Sequence, residues 1–198
     1  MPSIYRVLCL GVLIGAWGPV ASAVEVFAKG SVSKNFISED KFTTSVSATT
    51  GIAVELFGGV RIEGRYTNIS ALQNKLEVVT STVTVTLSDI KTQTAIYSIG
   101  LDIDFLGEKS VFQPFVFVGA GYIQTDRSYY FQVSGVDAVE YAKEPKQAGV
   151  SGNLGLGFRL RIARALAFEV EAFGYGIDVD KPNPLVNLYG TCGIRIFL

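Results

Sequence analysis

The chain contains no histidine, and after residue 23 it contains a single cysteine, Cys192. Without imidazole there is no Ser-His-Asp or Cys-His catalysis and no histidine-ligated metal site. A lone cysteine closes no internal disulfide, and Cys192 is far from the N-terminal segment and has no lipobox before it, so it marks no lipid-anchored protein. Long apolar runs are also missing. A membrane-spanning helix needs about 20 consecutive apolar residues, and the longest stretch after residue 23, Phe115 to Ile123, is about half that length and holds two glycines. Charge of one sign is not in excess: setting aside Arg6 leaves 16 basic against 18 acidic side chains, a net charge of about −2, so neither nucleic acid nor another polyanion is expected as a partner. No amphipathic helix pattern appears after the N-terminal segment. Gly119-Ala120-Gly121 is not a phosphate loop, because no helix follows it to supply an anion site.

What is present begins with a secretory signal. Residues 1–23 carry Arg6, an apolar run from Val7 to Trp17 and the small-residue cleavage site Ala21-Ser22-Ala23. The expected mature chain, 24–198, suits one domain. It is 48 % hydrophobic over the full sequence and needs somewhere to place apolar surface. Strands that alternate between lipid and a lumen supply that place.

Period-two alternation runs from end to end and predicts eight main strands. They are Val24 to Ser33, Thr44 to Leu56, Val60 to Asn68, Thr94 to Leu106, Phe112 to Thr125, Gly149 to Ile162, Leu166 to Gly174 and about Leu185 to Leu198. In the last, Leu188, Gly190, Cys192, Ile194, Ile196 and Leu198 face one way, and Tyr189, Thr191, Gly193, Arg195 and Phe197 the other. Phe112 to Thr125 is apolar on both faces, which leaves its orientation open.

The expected connections alternate in length. Asn35 to Thr43, Ile69 to Gln93, Asp126 to Ala148 and Tyr175 to Pro184 are long, while Phe57 to Gly59, Gly107 to Ser110 and Ala163 to Ala165 are short. Segregation of loop length by side points to an all-β fold, an eight-stranded antiparallel up-and-down transmembrane β-barrel with short periplasmic turns and long outer loops. Glu77 to Leu87 is rich in β-branched residues. It reads either as a protruding continuation of strands three and four or as two more strands, making ten. Eight is favoured because its apolar row, Val83, Val85 and Leu87, is shorter than the 9 to 11 residues of a tilted span.

In a membrane the charged row must face the lumen, since a basic side chain near the lipid midplane costs roughly 2 to 4 kcal/mol. That row holds Glu25, Lys29, Glu55, Arg61, Glu63, Arg65, Asp102, Asp104, Arg159, Arg161, Glu169, Glu171 and Arg195. Eight strands leave an interior just wide enough for side chains to fill. The expectation is a lumen plugged by ion pairs, with Glu169–Arg159 and Glu171–Arg161 as candidate pairs, and with Gly119, Gly121, Gly155, Gly157 and Gly193 making room for long charged side chains. A gate or narrow ion path is the alternative use of the same groups.

The segment Pro114-Phe115-Val116-Phe117-Val118-Gly119-Ala120-Gly121-Tyr122, together with the ending Arg195-Ile196-Phe197-Leu198 and the strand and connection pattern, resembles the small outer-membrane β-barrel family of OmpA and OmpX type. The resemblance covers essentially the whole mature chain. It implies residence in the outer membrane of a Gram-negative bacterium, among lipid and lipopolysaccharide, as a monomer without a cofactor. It further implies a C-terminal signal read by the barrel-assembly machinery, carried here by Tyr189, Ile194, Ile196, Phe197 and Leu198. The family usually ends in Phe; here Leu198 follows Phe197 and keeps the apolar row intact.

Other candidates are weaker. Tyr129, Tyr130 and Phe131 place three aromatics on the third outer connection, as partner anchors or as a hairpin packed on itself. Asp178, Asp180 and Asn183 offer oxygen donors in ordinary turn chemistry. The pairs Asp102/Asp104 and Glu169/Glu171 fit a lumen row more simply than a glycosidase site. The expected role is non-enzymatic: a structural or surface-interaction barrel. Transport of a small solute or ion, similar to the OmpW type, and a secreted lipocalin-like ligand-binding barrel are the competing readings.

Overall fold

Alternation of apolar and polar residues gives strands throughout the computed structural model, which describes residues 24–38, 41–79, 84–106, 110–177 and 185–198. The N-terminal segment 1–23, the centre of the Gly107 turn and the Asp178, Asp180 and Asn183 candidates lie outside the described residues. Nine strands are formed among them: β1 (Val24–Ser38), β2 (Lys41–Phe57), β3 (Val60–Val79), β4 (Thr84–Asp104), β5 (Phe112–Val133), β6 (Val139–Lys143), β7 (Gln147–Ala163), β8 (Leu166–Ile177) and β9 (Leu185–Phe197). All neighbours are antiparallel. β1 pairs with both β2 and β9, and β4 pairs with β5, so β1, β2, β3, β4, β5, β7, β8 and β9 close a ring of eight. Closure leaves no sheet edge within the ring, which is the condition for crossing lipid with strands.

The ten-strand alternative is overturned. Register between β3 and β4 runs without a shift from Val60↔Ile103 to Val79↔Thr84, so the described parts of this stretch, 77–79 and 84–87, are the far ends of β3 and β4 and not two further strands. Connections expected as long loops are mostly paired strand as well. β5 continues to Val133, and β6 pairs with its upper part while β7 pairs with the lower part, so β6 and β7 form one interrupted strand. β1 and β2 likewise pair up to Ser38↔Lys41. The strands run past the point where the lipid code stops because Thr, Ser and Val continue to favour extended backbone without alternating. At the opposite end the turns are tight: Gly58 and Gly59 have φ of 52° and 85°, the left-handed pair that a two-residue hairpin needs.

Polarity is inverted relative to a water-soluble barrel. Ile52, Ile62, Ile99, Leu101, Val118, Leu154, Leu156, Leu188 and Ile194 are exposed on the outside, while charged side chains are buried inside. Tyr66, Tyr97 and Tyr122 are consecutive neighbours across β3, β4 and β5 on the outer face. Phe105, Phe112 and Phe158 ring the other end, Phe112 and Phe158 with ring centroids 5.5 Å apart. From Tyr97 to Phe105 the rise along a strand tilted as in a barrel spans roughly 20 Å, close to the height of a lipid-facing band between aromatic girdles.

Beyond the tyrosines β3, β4, β5 and β6 continue as a protruding sheet. One face groups Leu76, Val78, Val85, Leu87, Phe131 and Val133 by register; the other carries Lys75, Glu77, Thr86, Ser88, Tyr130 and Tyr141. The Glu77 carboxyl is held below the usual glutamate range by hydrogen bonds from Lys75 and Lys41 and their charge. These residues lie above the closed ring, so deleting 76–87 leaves the barrel able to fold. Far-UV circular dichroism and a retained compact, heat-modifiable gel band are the expected readout, and loss of that band would show that the hairpin nucleates the ring.

Candidate functional site: the charged lumen

Period two sends the odd residues of β1, β3, β5, β7, β8 and β9 and the even residues of β4 to the interior. Eleven of the thirteen expected lumen charges meet there: Glu25, Lys29, Arg61, Glu63, Arg65, Asp102, Asp104, Arg159, Glu169, Glu171 and Arg195, all buried. They form one continuous network. Arg195 donates to Glu25 at 2.9 Å, Glu63 at 2.8 Å and Glu169 at 2.8 Å. Arg61 reaches Glu25 and Asp104, both at 2.6 Å, and Asp102 at 3.3 Å. Arg159 binds Glu169 at 3.0 Å and also Asp102 and Asp104. Lys29 binds Glu169 at 2.7 Å and Glu171, and Arg65 binds Glu171 at 2.7 Å and Glu63.

The network holds six acids against five bases. Desolvation of each ion is costly, and only several short, charge-assisted contacts per group offset it. Aromatic faces contribute further. Arg65 lies 3.5 Å from the Phe117 ring centroid, Arg159 3.9 Å from Phe115, and Arg195 4.5 Å from Phe27, so the ring quadrupoles attract the cations where no carboxylate reaches. β5 is apolar on both faces for this reason: Phe115 and Phe117 point inward as platforms, while Pro114, Val116 and Val118 point outward.

Two expected members stand apart. Glu55 and Arg161 are on the inner row but half-buried at the rim near the short turns, and Arg161 stacks 4.4 Å from the Phe197 ring centroid. Glu169 faces Arg159 in register as expected, but Arg161 faces Ala167 and Glu171 faces Gly157; Glu171 is held instead by Lys29 and Arg65. The glycine expectation is also corrected. A side chain at Gly155 would strike the Glu171 carboxylate, but Gly119 and Gly157 are covered by the rings of Phe117 and Phe115. Gly121 faces Asn153 and Ser98, and Gly193 lies against the main chain of Ala28 and Lys29.

Charge does not fill the interior to the top. Above it Ile69, Ile96, Ile123, Phe173 and Tyr175 make an apolar layer with Tyr189 packed against it, and Tyr175 and Tyr189 stack at 5.8 Å with their rings 6° from parallel. Hydroxyl pairs flank this layer, Thr49–Thr67 at 2.9 Å one inner position below Ile69, Ser31–Ser47 at 2.7 Å level with it and Ser33–Ser45 at 2.7 Å above it. The apolar layer was missed by the sequence reading. Its signal was available: Ile69, Ile96, Ile123 and Phe173 occupy the row otherwise given to charges.

Tyr189 thus belongs to the interior layer. Ile194, Ile196 and Leu198 are exposed on the outside, and Phe197 is half-buried inside. The Leu198 amide donates to the Val24 carbonyl at 2.9 Å, tying the two ends of the ring. Of the three hairpin aromatics only Tyr130 is exposed; Tyr129 and Phe131 are half-buried. Tyr130 packs on Tyr141 with centroids 5.4 Å apart, which corrects the picture of three displayed rings.

No family model and no curated protein matches the sequence. Solved structures do match in shape. The N-terminal β-barrel domain of Pseudomonas aeruginosa OprF aligns over 89 % of this chain and 98 % of its own, at 14 % identity and a TM-score of 0.51. Neisserial surface protein A aligns over 89 % and 95 %, at 15 % identity and a TM-score of 0.46. The outer membrane enzyme PagL aligns over 89 % and 100 %, at 12 % identity and a TM-score of 0.41. The likeness to the OprF barrel shows the fold: this chain has the architecture of the small outer-membrane β-barrels, consistent with the OmpA and OmpX resemblance.

Proposed function

We propose that the chain is an integral outer-membrane protein of a Gram-negative envelope with a structural or surface-interaction role: a rigid plugged barrel that holds its hairpins outward. The observation that carries this reading is the inverted polarity, eleven ionised groups buried along the axis and an apolar band outside between two aromatic girdles. In water the same surface would expose far more contiguous apolar area than a soluble monomer tolerates. Residues 1–23 act as the cleaved export signal, lipid and lipopolysaccharide surround the barrel, and the barrel-assembly machinery reads the β9 end. The barrel works as a monomer without a cofactor. It is non-catalytic, because the acids that would serve as general acid and base, Asp102, Asp104, Glu169 and Glu171, are each engaged by Arg or Lys.

Two seals in series support a closed lumen: the ion network and the dry layer of Ile69, Ile96, Ile123 and Phe173 above it. Purified protein in a planar bilayer is expected to give no steady conductance on the scale of a general porin. Steady porin-like current would overturn the plugged reading and favour transport. Recovery from cells in the carbonate-soluble fraction would overturn the membrane reading itself.

A further inference from the structure

The outer wall is not evenly covered. Val26, Ile52, Gly64, Ile99 and Ala120 form one row across β1 to β5 by register, and the row dips at its centre because Gly64 has no side chain. An added Cβ there would meet nothing within 4 Å. Above the dip Tyr66 and Tyr97 lean over it with centroids 5.1 Å apart. The result is a trough of about 1230 Å³ opening on the outer face, with Ile52 and Ile99 as flanks, the two tyrosines at its upper end and the inner-row residues Phe27, Arg65 and Gly121 also in its lining.

We propose that this trough is a binding site for a glycerophospholipid, one acyl chain lying along Gly64 between Ile52 and Ile99 and the ester region meeting Tyr66 and Tyr97. The inference rests on the membrane reading above. Chain contact is apolar and needs only shape and depth, which a missing side chain supplies. The polar end decides the lipid class. Its outward groups are neutral: the tyrosine hydroxyls, Asn68, which donates to the Tyr66 hydroxyl at 3.3 Å, and the adjoining Ser70 and Gln93, paired in register; Arg65 also lines the cavity, but its guanidinium is committed inward to Glu63 and Glu171. Hydroxyls and amides match ester carbonyls. A phosphorylated disaccharide headgroup calls for cations, and on the outer row of β4 the next one is Lys91, three outward positions beyond Tyr97.

The test uses the full mature chain purified in a mild non-ionic detergent, supplied with phosphatidylethanolamine or with lipid A, and examined by native mass spectrometry. Wild type is expected to retain one phosphatidylethanolamine. Gly64→Leu and Ala120→Leu fill the trough from its floor and its side, and each is expected to reduce retention at least ten-fold while the heat-modifiable band is unchanged. Gly190→Leu, at an outward glycine on β9 with nothing within 4 Å, is expected to retain the lipid as wild type does. Equal retention by Gly64→Leu and Gly190→Leu overturns the site. So does preference for lipid A, or a dimer that Gly64→Leu alone abolishes, which would make a second copy the occupant. A chain that stays dissolved without detergent fails the membrane reading instead, and the two failures are therefore distinct.

Discussion

Arg195→Met lowers the unfolding free energy by roughly 3 to 5 kcal/mol, the cost of leaving buried carboxylates without their cation. Arg195 is fully buried and serves three acids contributed by three other strands, Glu25 on β1, Glu63 on β3 and Glu169 on β8. Methionine keeps much of the volume over Phe27 but no donor. Arg195→Lys keeps the charge, yet a single ammonium on a flexible stem cannot replace a fork that reaches three directions, so its loss is expected to be intermediate. Denaturant titration in detergent or lipid, followed by the gel shift and far-UV circular dichroism, measures both; the sole tryptophan, Trp17, lies ahead of β1 and gives no probe of the barrel. A change below about 1 kcal/mol for Arg195→Met would mean that water already reaches these groups and that the lumen is not dry.

That result bears on the plug as well. Each arginine bridges acids from different strands, so the network fastens the wall from inside. Lys29 on β1 holds Glu169 and Glu171 of β8, and Arg61 on β3 holds Asp102 and Asp104 of β4 together with Glu25 of β1. Removing one member is therefore expected to cost stability whether or not the lumen opens. The apolar layer of Ile96, Ile123 and Phe173 is independent of charge and is expected to keep Arg195→Met non-conducting.

Much of this was legible because polarity in strands has period two, and the two rows of β3, Arg61-Glu63-Arg65 against Ile62-Gly64-Tyr66, leave no choice of side once lipid is outside. Glu169–Arg159 was legible for the same reason, lying on one hairpin near its turn. Pairs across the lumen were not. Lys29 and Glu169 are 140 residues apart, and their meeting depends on closure and strand stagger, which no local pattern records. Above the tyrosines, where alternation fades, the upward continuation of β3 and β4 was still legible from the β-branched run of Glu77 to Leu87, whereas the extension of β5 to Val133 and its pairing with β6 were not. Phe115 and Phe117 left the orientation of β5 open because apolar side chains on a polar row look like a break in the code, when with Phe27 they are part of how the arginines are held.

Gly193→Val is expected to abolish the folded barrel. Gly193 is on the inner row of β9, opposite Lys29 on one side and Glu169 on the other. A Cβ there would lie 2.5 Å from Lys29 Cα and 2.8 Å from the Ala28 carbonyl carbon. Those are main-chain atoms, which cannot rotate away as a side chain can, so the cost exceeds the usual 1 to 3 kcal/mol of overpacking. The strain falls on the β1–β9 seam, where pairing extends only from Glu25↔Phe197 to Gly30↔Cys192. If that seam parts, two strand edges with unsatisfied backbone groups face lipid, each group costing several kcal/mol. The expected outcome is a band migrating as unfolded chain with or without heating. Gly190→Val, three residues away on the outward row with open space around it, is expected to migrate as wild type. A compact heat-modifiable band for Gly193→Val would mean that β1 and β9 meet in another register and that the ring closes differently from the arrangement described.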